Sequence, residues 1–183
     1  MVGSWNKIAK RIRVPLGFAF AIFFLWLARP SLLFLLLSLI LVVPGVCLRA
    51  YASGYVKKNA ELTVTGPYAY TRNPLYLGSM LMAFGFALAS RSMWIAIALA
   101  ALFALIYVPV IRGEEQFLRG KFPGFDAYAA RVPRLLPRLT RGTNAHDGGG
   151  FSSTLYRKHR EYNALMGAAA IYVALALRLY FLP

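Results

Sequence analysis

The sequence predicts an all-α, polytopic integral membrane protein, with about five transmembrane helices in two hairpins followed by a C-terminal helix. Three observations predict it. Hydrophobic residues make up 59% of the 183 residues and charged residues only 15%, where a soluble domain carries about 25% charged residues. The apolar residues fall in uncharged blocks at 16–28, 31–48, 75–90, 92–111 and 164–177. Four of these reach the roughly 20 helical residues that a bilayer core of about 30 Å requires, once flanking residues or tilt are allowed, and the first is the shortest. The blocks show neither the polar face of a surface helix nor the alternation of a barrel strand.

The third observation is the placement of charge. The net charge is +15, from 21 basic and 6 acidic residues. Lys7, Lys10, Arg11 and Arg13 precede the first block, Arg49, Lys57, Lys58 and Arg72 follow the second, and a basic run from 112 to 141 follows the fourth. The short turns between blocks one and two and between three and four hold only Arg29 and Arg91. Lopsided charge of this kind sets membrane orientation, with the basic side inside, and needs no nucleic acid to explain it. The expectation is a bacterial inner-membrane protein with a cytoplasmic N-terminus and an external C-terminus, its basic side against anionic headgroups.

Element by element, residues 14–50 read as the first hairpin, turning at Ala28-Arg29-Pro30-Ser31 with Ser31 as N-cap. Residues 51–74 form a connector, and 75–111 form the second hairpin, turning at Ser90-Arg91-Ser92. Residues 112–142 form a polar cap, 143–161 a Gly/Ser-rich flexible loop, and 162–183 the last helix, with Arg178 snorkelling at its end. The single cysteine, Cys47, permits no internal disulfide and reads as plain packing. The first block lacks a small-residue cleavage site and reads as a retained helix.

One stretch stands apart from this pattern: TGPYAYTRNPLYLG, residues 65–78. Gly66-Pro67 stops any incoming helix. Pro74 moves Asn73 out of the α region and suits the first turn of a new one, so Asn73 is expected as N-cap of the third helix. The free N–H groups of that turn, with Arg72 beside them, suit an anion. Tyr68, Tyr70 and Tyr76 offer flat faces to a ring or a cation. A capped interfacial turn with an aromatic belt would use the same residues. The second polar cluster, Glu114-Glu115 beside Arg112, follows the fourth block, and carboxylates near a membrane interface are costly unless partnered. Since blocks three and four form a hairpin, the start of one and the end of the other lie at the same membrane face. The two polar clusters are therefore expected to meet.

These motifs, in order, are Gly66-Pro67-Tyr68, Arg72-Asn73-Pro74-x-Tyr76-x-Gly78, Glu114-Glu115, and Phe122-x-x-Phe125-x-x-Tyr128-x-x-x-Val132-Pro133-Arg134. Together they resemble the isoprenylcysteine carboxyl methyltransferase family, part of a wider group of membrane methyltransferases that includes phospholipid methyltransferases. The resemblance covers residues 62–137 and the hairpins on either side. It implies S-adenosyl-L-methionine as methyl donor, with S-adenosyl-L-homocysteine as product, held under a cytoplasmic cofactor-binding cap. By position, Tyr68, Arg72, Asn73, Pro74, Leu75, Tyr76 and Glu114 or Glu115 are the implied cofactor-binding residues. Arg112, Glu114 and Glu115 are the implied catalytic residues, and Arg112 and Arg131 would meet the acceptor. Where isoprenylcysteine methyltransferases usually have histidine, this chain has Asn73, which looks more like the phospholipid branch.

The chemistry agrees with such a cofactor: a carboxylate for the helix N-terminus and Arg72, an ammonium group for a glutamate, and a sulfonium for tyrosine faces. No Rossmann-type glycine signature is present. The expected activity is carboxyl O-methylation of a lipid-like acceptor, a lipophilic small molecule or a prenylated one. The alternatives are phospholipid N-methylation, a nicotinamide-dependent membrane reductase, and a non-catalytic membrane scaffold. No metal and no nucleic-acid partner is expected, membrane lipids are, and the oligomeric state stays open.

Overall fold

The computed structural model describes residues 20–57, 60–142 and 150–181, and those residues are helical or irregular, with no strand among them. Helix α1 contributes residues 20–27; the start of the first apolar block lies outside the described residues. The chain turns at 28–31 into α2, Leu32–Ser53. A 3-10 turn, Gly66–Ala69, leads to α3, Pro74–Ser90. Helix α4 is a continuous 29-residue rod, Met93–Lys121, that passes through one π-helical stretch at Phe103–Tyr107. A short helix α5, Phe125–Arg131, is followed by α6, Ser153–Lys158, and by α7, Tyr162–Phe181.

Helices α2, α4 and α7 are each long and apolar enough to cross a membrane, and α3 is a shorter apolar helix of 17 residues. Their outward faces carry Leu36, Ile40, Trp94, Ile97, Val173 and Leu177, all exposed. A continuous apolar belt of this kind has lipid as its solvent. The protein is an integral membrane protein. Cys47 belongs to this outer face and is not packed inside, because its position on α2 faces away from the bundle.

Inside the bundle, Phe24, Leu35, Val42, Phe86, Ile95, Ala168 and Leu175 from α1, α2, α3, α4 and α7 share one core. Helices α2 and α3 approach most closely. A Cβ on Gly45 would lie 2.8 Å from the Gly78 carbonyl oxygen, and one on Gly78 would lie 2.7 Å from the Gly45 carbonyl oxygen. Small residues at such a crossing let two backbones touch where lipid provides no hydrophobic drive. Across the same core, Ser38 and Tyr172 share a hydrogen bond of 2.7 Å between α2 and α7.

The helix ends sort into two faces. Arg29 N–H donates to Ser90 O at 2.9 Å, joining the two hairpin turns. Arg178, expected to reach for solvent at the end of α7, instead donates to the Ala28 and Trp26 carbonyls that α1 leaves open. At that face Arg91 closes α3 in the left-handed region, φ 52°. The opposite face holds the end of α2, the start of α3, the end of α4, and α5 and α6. Residues 150–161, expected within a flexible loop, include α6, which Ser152 caps through Leu155 N–H at 3.3 Å. The remainder of that loop, 143–149, lies outside the described residues.

Candidate functional site

The polar island folds around two constraints. Gly66 adopts φ +58°, and a Cβ there would lie 2.7 Å from the Tyr55 ring, so only glycine fits. Pro67 then starts the 3-10 turn and Pro74 starts α3. Asn73 occupies the N-cap position, with Leu77 N–H donating to its carbonyl at 3.0 Å. Its side chain does not cap the helix as expected. Asn73 Nδ2 donates to Arg134 O at 2.9 Å and to Glu115 Oε1 at 3.3 Å.

The segment after α4 is laid over this island by backbone bonds. Arg72 N–H donates to Pro133 O at 2.9 Å, Arg138 N–H to Tyr70 O at 3.0 Å, and Gly142 N–H to Ala69 O at 2.9 Å. The Thr71 hydroxyl donates to Leu135 O at 2.9 Å. Phe125, Tyr128 and Val132 are buried against Leu62, Val64 and Leu118, so the spacing of apolar residues over 122–137 marks a packed cap. The Tyr128 hydroxyl donates to Tyr68 O at 2.7 Å in a buried bond. Burial pushes the Tyr128 phenol well above the usual range; Arg72 pulls it down and Glu115 pushes it further up. It therefore stays a donor at any working pH. Tyr128→Phe should cost about 1–3 kcal/mol, because it leaves a buried carbonyl unsatisfied. Thermal unfolding in detergent reads that loss, and faster proteolysis within residues 122–137 locates it.

Glu114 and Glu115 occupy successive positions on α4 and have different surroundings. Glu115 is 4% exposed. Its carboxylate takes Arg134 Nε at 2.9 Å and Nη2 at 2.9 Å, and it faces Arg72 Nε at 3.5 Å. With Asn73 it ties the island, α4 and the cap together. Glu114 is half-buried and accepts a hydrogen bond from the Tyr76 hydroxyl at 2.9 Å. The Tyr76 ring is fixed edge-on against Tyr107, centroids 5.8 Å apart. Among the described carboxylates, Glu61, Glu115, Asp126 and Glu161 each make an ion pair and Glu114 makes none.

Both glutamates line a cleft of about 430 Å³ at this face, a size typical of small-molecule sites. Its polar walls are Glu114, Glu115, Arg72, Asn73, Lys57 and Glu61, and its aromatic walls are Tyr68, Phe117, Phe125 and Tyr128. Tyr68 is 8% exposed. Burial first, then Tyr128, Glu161 and Glu114, push its phenol above the usual range, against the pull of Arg49. Arg72 Nε is buried without a hydrogen-bond partner among the described residues. Of the residues singled out in the sequence, Pro74, Leu75 and Tyr76 stand behind the cleft in the first turn of α3 rather than on its wall. Arg112 and Arg131, expected beside an acceptor, are exposed and do not line this cleft. Arg134, inside the Val-Pro-Arg motif, takes the buried partnership that neither of them has.

The comparison with known proteins bears on this half of the chain. The family model described as phospholipid methyltransferase matches residues 32–124, just over half of the chain. The chain belongs to the phospholipid methyltransferase family. The family match runs from the first residue of α2 to the loop before α5, so it contains the island, both glutamates and Tyr76. Two curated relatives each align with about half of the chain. The nickel-cobalt-cadmium resistance protein NccN of Alcaligenes xylosoxydans xylosoxydans is 43% identical over 90 residues, which are 49% of this chain and 41% of that protein. The cobalt-zinc-cadmium resistance protein CzcN of Cupriavidus metallidurans is 42% identical over 90 residues, with the same coverage. The chain thus aligns with about two fifths of the length of each relative. No solved structure matches it.

Proposed function

We propose that the chain is an S-adenosyl-L-methionine-dependent membrane methyltransferase that acts on a lipid-like acceptor, with the cleft of Glu114 as its cofactor site. The observation that carries this reading is the Glu114 carboxylate, held by Tyr76 and without an ion pair among the described residues, in a polar and aromatic cleft of a protein with net charge +15. A half-buried carboxylate without a cation calls for one.

The cleft residues fit the cofactor. Glu114 would hold its ammonium group, Arg72 and Lys57 its carboxylate, and Tyr68, Phe117, Phe125 and Tyr128 its ring system. When bound, S-adenosyl-L-methionine supplies an electrophilic methyl group on sulfonium sulfur. The protein's part is to align the acceptor and keep water out. The cap, held on the island through Tyr128 and Thr71, closes one side of the cleft against water.

For the acceptor, an amine-bearing lipid is favoured over the carboxylate expected from the isoprenylcysteine type. Arg112 and Arg131 lie outside the cleft, and Arg72 and Arg134 face Glu115. The cationic side chains that do line the cleft, Arg72 and Lys57, are taken up by the cofactor's own carboxylate, which leaves none of them for a carboxylate acceptor. An amine has to lose a proton before it attacks, and Glu61 and Glu114 are the cleft carboxylates able to receive it. We place this face in the cytoplasm of a bacterial inner membrane, in line with the basic bias of the sequence. The relatives' names tie them to nickel, cobalt, zinc and cadmium resistance. We read any part that this chain has in such resistance as following from methylation of a membrane lipid.

Calorimetry with S-adenosyl-L-homocysteine tests the cofactor, and mass spectrometry of amine- and carboxylate-bearing lipids after incubation with methyl-labelled S-adenosyl-L-methionine tests the acceptor. A charge-assisted hydrogen bond is worth about 1.5–3 kcal/mol, so Glu114→Ala should weaken product binding by roughly one to two orders of magnitude. An unchanged affinity in that variant would remove the central support for the reading.

A further inference from the structure

Behind the first turn of α3, on the side away from Glu114, lies a second charged assembly. Arg49, one turn before the end of α2, meets Glu161, just ahead of α7. Arg49 Nε donates to Glu161 Oε2 at 3.1 Å, and Nη2 donates to Oε2 at 2.8 Å and to Oε1 at 2.9 Å. The remaining nitrogen, Nη1, donates to Leu75 O at 3.2 Å and to Ser79 Oγ. The Ser79 hydroxyl itself donates to Leu75 O at 3.0 Å. All five N–H groups of the guanidinium are thereby used, which a lysine ammonium with three donors could not match. Both side chains are mostly withdrawn from solvent, 23% and 12% exposed. Gly78 makes the crossing possible, since a Cβ there would lie 2.7 Å from Arg49 Cγ.

The contacts reach further than packing requires. Leu75 and Ser79 flank Tyr76, whose hydroxyl holds Glu114. The charges of Arg49 and Glu161 also act on the Tyr68 phenol on the cleft wall, in opposite senses. We propose that Arg49 and Glu161 are positioning residues for the cleft: they lock the rotation and height of the first turn of α3, so that Tyr76 presents Glu114, and they make the start of α7 part of the site's support. This inference rests on the reading of the cleft as the cofactor site. It extends that reading to α7, which lies beyond the family match.

The test uses the full chain in detergent, with S-adenosyl-L-homocysteine as probe and two further readouts: thermal midpoint, and amide hydrogen exchange over residues 74–82. Arg49→Lys and Glu161→Gln should each weaken product binding at least tenfold and speed exchange in that turn. The exchanged pair, Arg49→Glu with Glu161→Arg, is the discriminating variant. It re-forms an ion pair and should recover the thermal midpoint lost in Arg49→Glu alone. It should not recover affinity, because a glutamate at 49 has no N–H for Leu75 O or Ser79 Oγ. A purely structural pair would recover both together, and that result would overturn the proposal. So would wild-type affinity in both Arg49→Lys and Glu161→Gln. If the wild-type protein itself fails to bind the probe, the cofactor reading falls; unchanged exchange over residues 74–82 in Arg49→Lys then overturns the positioning role on its own.

Discussion

Glu115→Ala should lower stability more than any other single charge removal in this chain, by about 3–5 kcal/mol, the range for breaking a buried ion pair from one side. The partner left behind is Arg72, whose side chain is only 12% exposed and whose Nε already lacks a hydrogen-bond acceptor among the described residues. Arg134 is 48% exposed and can turn to water, so its share is small. Against a total stability of about 5–15 kcal/mol, a loss of that size is a large fraction. Thermal unfolding and proteolysis in detergent should show residues 132–142 released from the island. Product binding should fail as a consequence of that release. The double variant Glu115→Ala with Arg72→Met separates the two explanations. It removes the stranded charge and should regain much of the lost midpoint; if it stays as unstable as the single variant, the buried pair is not the cause.

Gly78→Val is the second large effect, and it acts through shape. Its Cβ would lie 2.7 Å from both the Gly45 carbonyl oxygen and Arg49 Cγ. Overpacking a core with room to relax costs about 1–3 kcal/mol. Here one obstacle is helix backbone, which cannot rotate away, so the loss should reach or exceed the top of that range. Gly78→Ala should fall between wild type and valine. The melting midpoint of the detergent-solubilised protein checks the order, and a valine variant that melts with wild type would show that α2 and α3 separate easily.

The residue pattern made the helices legible because uncharged blocks of membrane length have few other uses. It also made the meeting of island and glutamates legible, since a hairpin fixes which helix ends share a face. The partner of each polar side chain was not legible. Asn73 stands at the N-cap position, but a cap position does not oblige the amide to cap, and Glu115 and Arg134 O offered it better partners. The two glutamates looked equivalent. Successive residues on a helix point about 100° apart, which turned Glu115 to Arg72, Asn73 and Arg134 and Glu114 to Tyr76, although both line the cleft. Arginines 112, 131 and 134 are alike in sequence; only the path of the chain after α5 brings Arg134 inward. The Arg49–Glu161 pair spans 112 positions, a separation that no local rule connects.

The cap contacts carry a consequence for how the molecule is made. Chains emerge from the ribosome N-terminus first, at about 5–20 residues per second. Helices α2, α3 and α4, with both glutamates, are synthesised before the residues that close and brace the cleft, which lie at 125–142 and at 161. Until those arrive, the first turn of α3 lacks Glu161 behind it and Glu115 lacks Arg134 in front. The nascent protein therefore passes through a stage in which α2, α3 and α4 are already synthesised while the pocket still lacks its cap and its brace, and α7 follows only after Glu161.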